Sequence, residues 1–426
     1  MDIKQSATLA KNASIKLGSC DSALKNKALL EISKNLIARK AEIINANKLD
    51  LENGKKEKLS EPILKRLNFD ENKIEDVING IDSLINLNDP VGKTLAATEL
   101  DEGLELYKIS SPLGVIGVIF ESRPDALVQI STLCLKSGNS ALLKGGREAI
   151  NTNRILFEVI KAATEAVGIP KGWLQLLETR DDVNEMLKLD KYIDLVIPRG
   201  SNEFVQYIMN NSKIPVMGHA DGICHCYVDK DANLDMAVNI VVDSKTQYVS
   251  VCNACETLLV HKAIASAFLP KLKAEMDKKN VELIGCENTK KIIEVKMATE
   301  EDWKTEYLDY KLSIKIVDDL ASAIDHINNY SSGHTETIVT EDKAAAEQFM
   351  DLVDSSNVFL NCSTRFSDGF RYGFGAEVGI STSKLHARGP VGLEGLLIYK
   401  YKLFGNGHIV ADYASKKKTF KHKKLL

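Results

Sequence analysis

The spacing of apolar residues changes character along the chain. Up to about residue 90, Leu24, Ala28, Leu29, Ile32, Leu36 and Ile37 recur at helical intervals among Lys, Asn, Ser and Glu, which predicts three or four amphipathic helices with no chemistry attached. From Leu104 the period shortens. Leu104, Leu106 and Ile109 alternate in part, and Val115–Phe120 is a continuous apolar run, as expected of a strand buried on both faces. Pro124 opens a helix through Ala126, Leu127, Ile130, Leu133 and Cys134 that stops at Ser137-Gly138-Asn139. A strand over 141–144, a helix over 148–166, a strand near 174–177, a short helix near 183–187, a strand over 195–197 and a helix from Ser201 follow.

Strands alternating with helices at this interval imply right-handed βαβ units, a parallel sheet and a ligand at the carboxyl ends of its strands. A second αβ series starts near Cys224 and runs to about Gly379. The expected fold is α/β in three parts: residues 1–223, 224–388, and a return segment 389–426. Leu396–Leu403 has strong strand propensity, and as an exposed late strand it reads as oligomer-forming. The tail Lys416–Lys424 is a basic run that reads as solvated.

Composition narrows the classes. The chain has 426 residues and a formal net charge of −4, so no broad basic field draws nucleic acid or an anionic membrane. The longest apolar-plus-glycine run, Leu113–Phe120, is far short of the roughly 20 residues of a membrane span. The polar start Met1-Asp2-Ile3-Lys4-Gln5 lacks a targeting pattern, and the expectation is a cytoplasmic protein with reduced thiols.

Eight cysteines then need a reading. Cys224-His225-Cys226 and Cys252-Asn253-Ala254-Cys255 suggest structural zinc, but zinc pairs usually enclose two to four residues and the first pair encloses one. Cys224 and Cys226 also fit a strand, where a thiol packs as a small hydrophobe. A redox pair at 252/255 lacks its customary place near the chain start. In a third reading Cys252 is a nucleophile in a loop leading to a short helical turn, whose amides would lower its pKa and hold an oxyanion. No metal site is expected.

Several ordered motifs carry a resemblance. Ser111-Pro112-Leu113-Gly114-Val115-Ile116-Gly117-Val118-Ile119-Phe120-Glu121-Ser122-Arg123-Pro124-Asp125 is similar to the gamma-glutamyl phosphate reductases, or glutamate-5-semialdehyde dehydrogenases. So are Leu143-Lys144-Gly145-Gly146, Pro198-Arg199-Gly200-Ser201, Met217-Gly218-His219-Ala220-Asp221-Gly222-Ile223-Cys224-His225, the Cys252 segment, and Tyr330-Ser331-Ser332-Gly333-His334-Thr335-Glu336. The resemblance spans about residues 5–412. It implies an aldehyde-dehydrogenase-like fold with a Rossmann-like cofactor domain, an αβ catalytic domain and a small β oligomerisation element to which strand 104–110 contributes. It implies reduction of L-glutamyl 5-phosphate by NADPH to glutamate 5-semialdehyde and phosphate, in proline biosynthesis, with Cys252 rather than Cys255 as nucleophile. It also implies a homo-oligomer, and the glutamate 5-kinase that makes the labile substrate becomes a candidate partner.

Residue by residue, the resemblance places Lys144 near the adenosine ribose, Gly200 and Ser201 at the pyrophosphate and Glu306 at the nicotinamide ribose. The chain has no G-x-G-x-x-G, and the superfamily's second glycine after Gly200 is replaced within Asn202–Val205. Arg123 is the first candidate for a substrate anion, since Arg suits bidentate recognition. His219 and Asp221 are expected near substrate and His334 belongs to a family motif, all without individual roles. Where ordinary aldehyde dehydrogenases carry a water-activating Glu, Met217–Gly222 has none, in line with a phosphate-releasing reductase. Two other readings are another aldehyde dehydrogenase or acylating reductase, and a zinc-stabilised binding protein without catalysis.

Overall fold

The computed structural model describes residues 2–178, 181–219 and 221–426, with backbone only for Asp181 and Asp182. Met1 and Ala220, used in the sequence reading, lie outside the described residues. The chain divides into two compact units, residues 1–200, 207–217 and 392–426, and residues 201–206 and 218–391. Residues 218–223 join the second unit, and the return to the first unit comes at Gly392.

The first unit begins with five helices rather than three or four: Ile3–Leu17, Ser22–Ala38, Lys40–Lys56, Glu61–Leu67 and Glu71–Asn86. The Asp21 carboxylate accepts from Leu24 N–H and Asp70 from Lys73 N–H, closing two helix starts. A single residue, Arg39, separates the second helix from the third, a break too short for periodicity to reveal. A four-stranded parallel sheet follows, in the order Leu174–Leu177, Ser140–Gly145, Val115–Phe120, Leu195–Arg199. Val115–Phe120 is buried along its whole length.

The unit's second sheet is antiparallel. Leu397–Phe404 pairs with Leu104–Pro112, which pairs with Thr94–Asp101, which pairs with Lys423–Lys424. The strand Thr94–Asp101 has no clean alternation and escaped the sequence reading. The basic tail is not simply solvated. Phe420 stacks on Tyr413 with centroids 4.3 Å apart, and Lys423 and Lys424 lie in register with Glu99 and Thr98. Leu397–Phe404 is an edge strand within this chain, exposing Ile398, Tyr399, Tyr401, Leu403 and Phe404.

The second unit is built on seven parallel strands in the order Lys296–Met297, Glu282–Gly285, Lys311–Val317, Cys255–His261, Cys224–Val228, Thr335–Val339, Asn357–Leu360. Cys226, Val228, Cys255, Leu258 and Val260 join Phe268, Leu269, Leu272 and Ile314 in its largest described core cluster. Cys226 and Cys255 are thus packing residues. Among the described residues no helix is long and apolar enough to cross a membrane.

Candidate active site

In the first unit the candidate residues lie where the sequence reading put ligands, at the carboxyl ends of strands. Lys144 is the penultimate residue of Ser140–Gly145, buried rather than a surface lysine, and its Nζ donates to the Gly145 carbonyl at 2.6 Å. Gly200 follows Leu195–Arg199 directly. Arg123 follows Val115–Phe120 by three residues and caps the helix Pro124–Lys136. Its side chain is exposed, and no ion pair with a described residue holds it.

In the second unit the geometry reverses. The residues that converge sit at the amino ends of three adjacent strands: Gly222 before Cys224–Val228, Cys252 before Cys255–His261, and His334 before Thr335–Val339. No helix follows Cys252. A turn closed by Ala254 N–H to the Val251 carbonyl, 3.1 Å, runs straight into the strand. The expected helical turn is therefore absent, and the groups closest to the thiol are side chains.

Those neighbours are two histidines. One ring nitrogen each of His219 and His334 and the Cys252 Sγ all lie within 4.8 Å of one another. The imidazoles meet edge to face, centroids 4.9 Å apart. His219 Nδ1 lies 2.8 Å from the Ile380 carbonyl, which only accepts, so Nδ1 carries the proton. His334 is fully buried, and its Nδ1 lies 2.8 Å from Thr335 Oγ1. Burial holds the His334 pKa below the usual imidazole range, opposed by the charge of Cys252. A neutral imidazole beside a thiol is a proton acceptor. The same three atoms could ligate a thiophilic divalent ion, though the chemistry proposed below needs none.

The backbone here has no slack. A Cβ on Gly222 would lie 2.1 Å from the Cys252 carbonyl oxygen and 2.4 Å from its Cα, so only glycine fits. The Cys224 thiol donates to that same carbonyl at 3.1 Å. Beyond Cys252, Thr364 Oγ1 donates to the Asn253 carbonyl and Asn253 Nδ2 donates to the Ser367 carbonyl, both at 2.7 Å.

A second group gathers around Asn202. Ser201 precedes the helix Asn202–Asn211, and its Oγ accepts from Phe204 N–H at 3.4 Å. Asn202 Nδ2 reaches Asp221 Oδ1 at 2.8 Å and Glu306 Oε2 at 2.6 Å. Glu306 is half-buried, not a surface glutamate. Burial raises its pKa, against a lowering from Asn202, Gly222 N–H and the charge of His219. Glu306, Asp221, His219 and Cys252 thus belong to one neighbourhood. Asn202 opens the stretch Asn202–Val205 that lacks the superfamily's second glycine, and sequence reasoning gave it no role of its own.

The chain as a whole is similar to known proteins. The model of the aldehyde dehydrogenase family matches residues 1–290. The chain is 70% identical over 425 residues to a gamma-glutamyl phosphate reductase of Acetivibrio thermocellus, covering 100% of this chain and 99% of that one. It is 53% identical to gamma-glutamyl phosphate reductase 1 of Synechocystis, covering 97% and 96%. A crystal structure of gamma-glutamyl phosphate reductase from Thermotoga maritima superposes with a TM-score of 0.94 at 40% identity, over 96% of this chain and all of that one. An acetylating aldehyde dehydrogenase from Geobacillus thermoglucosidasius shares the fold, with TM-score 0.65 at 17% identity.

Proposed function

Because the chain belongs to the aldehyde dehydrogenase family, and within it to the gamma-glutamyl phosphate reductases, we propose that it reduces L-glutamyl 5-phosphate to glutamate 5-semialdehyde with release of phosphate, in proline biosynthesis. The observation that carries the chemistry is the Cys252 thiol within reach of the His219 and His334 nitrogens.

The residues divide the work. Neutral His334 takes the Cys252 proton, leaving a thiolate. The thiolate attacks the acyl carbon; a C–S bond forms, the C–O bond to phosphate breaks, and a thioester remains. NADPH, when bound, supplies the hydride that reduces this thioester. The backbone N–H groups of Cys252 and Asn253, which are not used in closing the turn, hold the resulting oxyanion. Its collapse breaks the C–S bond and frees aldehyde and thiolate. No water enters, so the missing water-activating Glu is no deficit.

The residues fit a nicotinamide cofactor. Glu306 presents a half-buried carboxylate oriented by Asn202 for ribose hydroxyls, Gly200–Ser201 opens a helix suited to a pyrophosphate, and buried Lys144 offers its ammonium to the adenosine ribose. Arg123, His219 and Asp221 serve the substrate. The exposed apolar edge Leu397–Phe404 supports pairing with another copy, a glutamate 5-kinase is the candidate supplier of the acyl phosphate, and the cytoplasm is the proposed location. The test is the reverse reaction. NADP reduction with glutamate semialdehyde should require inorganic phosphate; phosphate-independent acid formation would mark a hydrolytic aldehyde dehydrogenase instead.

A further inference from the structure

The loop after Asn357–Leu360 holds a guanidinium with too few partners. Arg365 is only 8% exposed. Its Nε donates to Gln247 Oε1 at 2.9 Å. Its two terminal nitrogens make no hydrogen bond or ion pair among the described residues, although Arg can donate through all of them. A buried cation without a counter-charge is costly and is normally answered by an anion.

The loop's position tells where that anion sits. The residues on either side of Arg365 are tied to the residue after the nucleophile: Thr364 to the Asn253 carbonyl and Ser367 to the Asn253 amide, both at 2.7 Å. Arg371 Nη1 donates to the Arg365 carbonyl, bringing a second guanidinium to the same loop. Burial and then the charge of Arg371 lower the Arg365 pKa, whereas Cys252, Asp368 and Asp243 act to raise it. Neither aspartate is within ion-pair distance of it.

We infer that Arg365, with Arg371 behind it, is an anion subsite serving Cys252. It takes a planar pair of anionic oxygens from the substrate, either the carboxylate at the far end of the glutamyl chain or the phosphoryl group that leaves. The inference rests on Cys252 being the nucleophile. Arg is required because only its fork matches two oxygens at once.

Alkylation of Cys252 in the full chain provides a readout apart from turnover. Iodoacetate carries a carboxylate and iodoacetamide does not, so their rate ratio at Cys252 reports the subsite. Arg365→Gln should lower that ratio about tenfold or more, as expected for losing a buried charge-assisted pair. Arg365→Lys should restore only part. In the reverse assay, Arg365→Gln should raise one Michaelis constant by roughly 10- to 100-fold. A rise for the semialdehyde assigns the carboxylate; a rise for phosphate assigns the phosphoryl group. Should Arg365→Gln not fold, wild-type protein still decides: glutarate or inorganic phosphate should slow iodoacetate alkylation while glutaramide does not. An unchanged ratio with both constants unchanged, or no protection by either anion, overturns the subsite. Loss of phosphate dependence in the wild type would instead sink the reductase reading, whatever the alkylation ratio.

Discussion

Gly222 lies so close to Cys252 that a single added carbon would sit 2.1 Å from the Cys252 carbonyl oxygen. The opposing atoms are backbone, so neither side chain rotation nor a rotamer change relieves the clash. Gly222→Ala should displace Cys252, cutting kcat sharply and costing roughly 1–3 kcal/mol from overpacking, or about 2–12 °C in Tm. Steady-state kinetics beside a thermal melt checks this, and full activity in Gly222→Ala would show that the contact does not position Cys252.

Asn202 bridges Asp221 and Glu306 at 2.8 and 2.6 Å. Removing it frees the Glu306 carboxylate from its orientation. Asn202→Ala is expected to raise the Michaelis constant for NADP by roughly 10- to 100-fold, the value of one hydrogen bond to a charged group, while that for phosphate stays within twofold. An equal rise in both would assign Asn202 to the fold rather than to cofactor placement.

Two histidines set an acid limit. Burial, followed by the charges of His225 and Lys315, pushes His326 down to about 2, and burial lowers His334 as well. Both are neutral when folded and take up a proton near pH 6.5 when unfolded. The unfolded state then binds more protons, so stability is present above pH 6.5 and falls as the pH drops below it. At pH 5.5 the loss from His326 is roughly 1.4 kcal/mol. His326→Gln, which keeps an acceptor for Lys315 Nζ, should shrink the difference between denaturation midpoints at pH 7.5 and 5.5. An unchanged difference would show that His326 titrates normally.

Lys245 and Glu256 form a fully buried pair at 2.5 Å, and burial raises Glu256 to about 7 despite Lys245. Glu256→Gln or Lys245→Met alone should cost about 3–5 kcal/mol, since each strands a buried partner. The double variant should cost clearly less than the sum. Additive losses by chemical denaturation would contradict this coupling.

How much of this could be read from sequence follows from the physics of each part. Val115–Phe120 and Cys255–His261 are legible because strands buried on both faces must be apolar throughout, and the αβ alternation sets the parallel sheets. The strand Thr94–Asp101 is half-exposed and follows no clean alternation, and Lys423–Lys424 is a strand only because Glu99 and Thr98 offer it an edge. Cys252, Lys144, Gly200, Ser201 and Glu306 are legible as candidates only through family motifs. The amino-end placement of Cys252, its two imidazole neighbours, the Asn202 bridge and the unpaired Arg365 come from residues far apart in the chain. His219 and His334 are 115 positions apart, and no local pattern announces that they meet.

The most direct measurement compares Cys252→Ala with Cys255→Ala in the phosphate-dependent reduction of NADP by glutamate semialdehyde. Cys252 is half-buried beside two imidazoles, whereas Cys255 is wholly buried in the core and burial raises its thiol pKa. Cys252→Ala should abolish the reaction while its melting temperature changes little, and Cys255→Ala should keep much of its activity with a lower melting temperature. Full activity in Cys252→Ala would contradict the assignment of Cys252 as the nucleophile.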